Sequence, residues 1–92
     1  MKIIKSNKFN DKLKNILQYI ASDSVANAKD FKSELDFKIK ELVSFPFKFR
    51  ASKYYDEENA RDLIFKGYTI PDYVDIQNET IVILTIFKYN LP

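Results

Sequence analysis

The run Ile81-Val-Ile-Leu-Thr-Ile-Phe87 is apolar at nearly every position, so as an extended strand it carries hydrophobic side chains on both faces. A strand of that kind belongs in the interior of a sheet with cover on each side. Upstream segments supply one layer. Phe9, Leu13, Ile16, Leu17 and Ile20 recur at helical spacing and predict an amphipathic helix over residues 8–21. Val25, Ala28, Phe31, Leu35, Ile39 and Leu42 form the stripe of a second helix, which Pro46 ends because the residue before a proline is pushed out of the α region. Between them Ser22-Asp-Ser24 provides a new N-cap and little length, so the two helices fold back as an antiparallel hairpin.

Each helix has one apolar stripe and therefore needs a sheet to cover. Residues 2–6 read as a short strand running into capping residues Ser6 and Asn7, and residues 60–66, 68–75 and 80–89 read as three more. Lys66-Gly67 is the predicted hairpin turn, since Gly67, the only glycine, takes positive φ without steric penalty. Gln77-Asn78-Glu79 marks the next turn. The result is an α+β domain, β-α-α-β-β-β, with the helix hairpin on one face of a mostly antiparallel sheet and the other face left for a partner. Pro71 lies inside a predicted strand and has no N–H for the ladder, so it is expected at an edge or a bulge that re-aims Asp72 and Tyr73. Unbroken alternation would set Lys88 with Val82, Leu84 and Ile86, and Tyr89 with Ile81, Ile83 and Phe87.

With 92 residues, 46% hydrophobic and 30% charged, the chain suits one globular domain spanning residues 1–92. The absence of cysteine and histidine removes disulfides and nitrogen- or sulfur-ligated zinc; no metal or cofactor is expected. No apolar run reaches the ~18 residues of a membrane span and the N-terminus lacks a signal-peptide core, which favours a cytoplasmic location. A net charge of +2 is low for a stand-alone nucleic-acid binder. Lys2, Lys5, Lys8, Lys12 and Lys14 read as solvated lysines. Lys48, Arg50 and Lys53 form a second basic group without an intervening acid, in a segment expected to be exposed, where alanine should change stability by less than about 0.5 kcal/mol.

Taken in order, "FNDKLKNILQYIASDSVANAKDFKSELDFKIKELVSFPFKFR", "RDLIFKGYTIPDYVD" and "TIVILTIFKYN" resemble the RelE/ParE superfamily, the toxins of bacterial type II toxin–antitoxin modules, also called plasmid stabilisation proteins. The resemblance implies helices laid across one face of a sheet and a cognate antitoxin whose C-terminal part wraps the toxin. It leaves two activities open. A ParE-like toxin inhibits growth by holding DNA gyrase and performs no bond chemistry of its own. A RelE-like toxin cleaves messenger RNA in the ribosome, and here Arg50, Lys53, Arg61, Lys88 and Tyr89 would be the catalytic inventory.

RNA cleavage needs a proton acceptor, a proton donor and a cation for the phosphorane. Histidine is the usual proton shuttle and is missing, and the chain has Thr69 and Asp72 or Tyr73, then Lys88-Tyr89-Asn90, where RelE-like members keep cleaving groups. The gyrase-binding alternative fits better, with Lys48, Arg50, Lys53, Arg61, Tyr73, Lys88 and Tyr89 as candidate contacts for target or antitoxin. A small interaction domain without toxic activity is the third reading. Arg61 alternatively pairs with Asp56 or Glu57, and the assembly would be a homodimer or a hetero-oligomer with the antitoxin.

Overall fold

The computed structural model describes residues 1–88. The elements are β1 (Lys2–Lys5), α1 (Asn7–Asp23), α2 (Val25–Ser44), β2 (Arg50–Ala51), β3 (Ala60–Phe65), β4 (Tyr68–Asp75), β5 (Thr80–Ile83) and β6 (Phe87–Lys88). Both helices begin as their sequences dictate. Ser6 caps α1 by accepting from the Phe9 amide at 3.0 Å. Ser24 closes α1 through its own N–H and opens α2 by accepting from the Asn27 amide, so one residue makes the whole hairpin turn.

The sheet runs β1-β5-β4-β3-β2, with β1 parallel to β5 and the other pairs antiparallel, and β6 paired to β4. The β3–β4 hairpin turns through Lys66 and Gly67 at φ 47° and 83°, the double positive φ of a tight turn matched to strand twist. The helix-facing rows, Leu63 and Phe65, Ile70 and Val74, Ile81 and Ile83, meet Phe9 and Leu13 of α1 and Phe31, Leu35, Ile39 and Leu42 of α2 in one core. Val25, expected on the stripe of α2, is exposed because it is the first residue of the helix, at the open end of the hairpin.

Two differences from the expected topology matter for function. The short edge strand β2 is additional. The expected strand 80–89 is also broken, for its ladder with β4 stops at Ile83 opposite Asp72 and resumes at Phe87 opposite Thr69. Three residues, Leu84 to Ile86, thus face two, Ile70 and Pro71, which is a bulge of one extra residue. Pro71 explains its position. It has no N–H to give, and its carbonyl still accepts from the Leu84 amide at 2.9 Å, while the Leu84 carbonyl accepts from the Ser6 hydroxyl at 2.7 Å.

The extra residue flips the alternation. Ile86 joins Ile83 in the core, Phe87 turns to the far face with Thr69, and Lys88 pairs with Tyr68 on the helix side rather than with Val82. Tyr89 lies outside the described residues.

The far face is also less open than expected. The chain after β2 crosses it, donating from the Lys53 amide to Asp62 and setting the Tyr54 ring edge-on against Phe87 at 4.8 Å. Beneath this crossing Asp62 and Thr69 have no exposure. The apolar row that remains runs across three strands as Ile4, Val82 and Tyr73, of which Ile4 is exposed and the other two half-buried.

Candidate functional site

The register of β2, β3 and β4 gathers three of the candidate cations around two buried acids. Arg50 stands opposite Asp62 on the neighbouring strand, with its guanidinium 3.6 Å from Asp62 Oδ2. The same oxygen accepts from the Lys53 amide at 3.0 Å, while the Lys53 side chain is exposed. Arg61 stands opposite Asp72, but its guanidinium turns away, donating to the Phe49 carbonyl at 3.3 Å and lying 4.9 Å from the centre of the Phe47 ring. The expected pairing of Arg61 with Asp56 or Glu57 is replaced by this backbone bond, because the chain leaving α2 passes directly over the strand.

Asp72 is the unusual group. Its side chain has no exposure, and neither carboxylate oxygen has a hydrogen-bond partner among the described residues. Desolvation pushes its pKa up to about 7, the Asp62 charge adds to the rise, and the Arg61 charge opposes it. Near neutral pH Asp72 is therefore partly a neutral acid packed beside Ile70 and Val74.

The remaining candidates lie elsewhere. Lys48 extends from the end of α2 to Glu41 at 3.7 Å and stands beside two exposed rings, Phe45 and Phe47. Tyr73 is half-buried on the far face between Ala60 and Val82. Lys88 sits opposite Tyr68, four residues along β4 from Asp72, a separation of about 13 Å at strand rise. It borders a groove against α1 with Lys12 and Tyr19. Arg50, Lys53 and Arg61 thus share one locale and Lys88 does not.

The sequence reading missed Asp62 and the α1 groove. The available signal for Asp62 was an acid alternating with apolar residues inside Ala60–Phe65. Among the described residues no three acids come together as a metal site, and no helix is long and apolar enough to cross a membrane.

The family model of the ParE toxin of the type II toxin–antitoxin system, parDE, matches residues 3–89. The chain belongs to the ParE toxin family. Among solved structures, a chain of the chromosomal ParDE toxin–antitoxin system from P. aeruginosa superposes with a TM-score of 0.76 at 18% identity. The match covers 98% of this chain and 97% of that one, so the fold is shared end to end. No curated protein matches in sequence. In this ParE family member the β3–β4 hairpin, turned at Gly67, carries Pro71, and the bulge at Leu84–Ile86 opposite Pro71 sets the side of β6 on which Lys88 lies.

Proposed function

We propose that this chain is a growth-inhibiting toxin that acts by binding DNA gyrase and is neutralised by a cognate antitoxin. One observation carries the choice of binding over RNA cleavage: of the cations that a ribonuclease would need at a single phosphate, the two arginines are already engaged and Lys88 stands apart from them. Arg61 is committed to the Phe49 carbonyl, Arg50 to Asp62, and Lys88 is placed about 13 Å along the strand from their register. Catalysis by proton transfer requires these groups within hydrogen-bond reach of the same reacting atoms.

A binding toxin needs instead an exposed surface mixing apolar anchors with charge. The segment after α2 has that composition: Phe45 is 62% and Phe47 40% exposed, with Lys48 between them and the Arg50–Lys53 region. Arg61 supports this segment from below through Phe47 and Phe49, so it acts on the surface by positioning it.

The test is expression of the chain alone in bacteria. Filamentation with a DNA-damage response, while bulk translation continues at first, is the expected phenotype, relieved by co-expressing the product of the adjacent reading frame. Early loss of translation with cleavage in the ribosomal A site would instead establish the ribonuclease.

A further inference from the structure

Arg61 and Asp72 stand directly opposite each other on β3 and β4, on the sheet face that carries Leu63, Ile70 and Ile83 toward the helices. Side chains in such positions start about 5 Å apart, well inside the reach of an arginine. They nevertheless do not bond. The guanidinium donates through Nη1 to the Phe49 carbonyl at 3.3 Å and lies against the Phe47 ring, while its Nε is buried without a partner. Both Asp72 oxygens are buried without a partner as well. A donor and an acceptor left unpaired on facing residues cost free energy that one change of the Arg61 rotamer would recover.

That rotamer change reaches the surface. Arg61 supports the segment leaving α2, so a guanidinium drawn to Asp72 abandons the Phe49 carbonyl and the Phe47 ring, and the exposed stretch from Phe45 to Lys48 loses its prop. The charge on Asp72 decides between the two stations. A neutral carboxyl offers a guanidinium a weak acceptor, whereas a carboxylate offers a charged, bidentate one. The charges that act on Asp72 are Asp62 and Arg61 of β3. Arg50 of β2 is spent on Asp62, and Ile83 opposite on β5 is apolar. The helices meet the core through apolar residues such as Phe9, Leu35 and Leu42, and at the end of α2 Glu41 and Lys48 pair with each other. Among the described residues Arg61 is the cation placed to answer a charge on Asp72.

We propose that Asp72 is a positioning residue for the surface from Phe45 to Lys48: as a neutral acid it leaves Arg61 holding the segment, and as a carboxylate it draws Arg61 across the β3–β4 ladder and releases the segment. The inference rests on the reading that this surface holds gyrase, and it adds regulation of the same site by pH. Desolvation keeps Asp72 neutral up to about 7, so the segment is held below that pH and partly released above it. The release is partial because the swing gives up one bond and one ring contact for one ion pair, and the two stations share the population once Asp72 is charged.

The test is nuclear magnetic resonance of the purified, isotopically labelled chain from about pH 5.5 to about pH 8.5. Nuclear Overhauser contacts between the Phe47 ring and the Arg61 side chain should be full at the acid end and fall to about half at the basic end, along the titration curve of the Asp72 carboxyl carbon. In Asp72→Asn, which cannot ionise, the contacts should stay full throughout, with circular dichroism confirming that both proteins remain folded. Gyrase affinity of the wild type, measured against that of Asp72→Asn at each pH, should fall about twofold over the same range. Contacts independent of pH in the wild type, a pH dependence that survives in Asp72→Asn, or a guanidinium already on Asp72 at the acid end would overturn the proposal. Because the contacts are read on the free chain, supercoiling left unimpaired while the exchange is present would count against the gyrase reading alone.

Discussion

Replacing Asp72 with asparagine should change how stability depends on pH more than it changes stability itself. In the unfolded chain Asp72 releases its proton near its ordinary pKa of 3.8, whereas in the folded protein it holds the proton up to about 7. Between those values the native state binds more protons than the unfolded state, so the free energy of unfolding falls as pH rises, and above about 7 the deficit stays constant. Three pKa units at about 1.4 kcal/mol each give a loss of about 4 kcal/mol across this window. The physical source is a carboxylate forced to ionise where burial strips it of solvent, with no hydrogen-bond partner among the described residues and beside the Asp62 charge.

Asparagine keeps the shape and a polar group without partners, costing the same at every pH, and it cannot ionise. The variant should therefore gain about 4 kcal/mol on the wild type between pH 4 and pH 8. The assay is urea unfolding followed by far-ultraviolet circular dichroism at half-unit pH steps. Taking the difference between the two proteins cancels the other carboxylates, including Asp36, whose pKa is lowered and whose contribution has the opposite slope. Parallel pH profiles for wild type and variant would refute the argument that Asp72 is buried without compensation.

Arg50→Ala should cost about 1 to 3 kcal/mol, more than the exposed position suggests, because it removes the ion-pair partner of the fully buried Asp62 carboxylate; urea midpoints check this, and Lys53→Ala, which keeps the backbone donor, should stay within about 0.5 kcal/mol. Leu35→Ala should cost about 2 to 5 kcal/mol and remove toxicity only through unfolding, a loss visible as a lowered melting temperature. Gly67→Ala should lower stability by about 1 kcal/mol although open space surrounds the position, since the cost is set by φ +83° and not by contact; an equal effect at Lys66→Ala would remove that explanation.

The helices were legible because periodicity and caps act locally: Ser6 and Ser24 cap as their sequence neighbours require, and Pro46 ends α2 where it must. The Lys66-Gly67 turn was legible for the same reason. The bulge was not, because nothing in Ile81–Phe87 marks a loss of register. Its cause sits on another strand, at Pro71, which the sequence showed as an irregularity without showing which partner would absorb it. That one residue of slip reversed the assignment of Lys88 and hid the α1 groove. The burial of Asp62 was likewise invisible, since it depends on a crossing made by Lys53 and Tyr54 after a two-residue strand too short to carry a pattern. The family resemblance reached the fold and the module. It did not reach the placement of individual cations, which is a matter of register.

The direct measurement is DNA supercoiling by purified gyrase in the presence of the purified chain. The account predicts concentration-dependent inhibition, lost when Phe45 and Lys48 are replaced by alanine in a protein that keeps its wild-type melting temperature. Unimpaired supercoiling at saturating chain, together with messenger cleavage in a purified ribosome translation system, would contradict it.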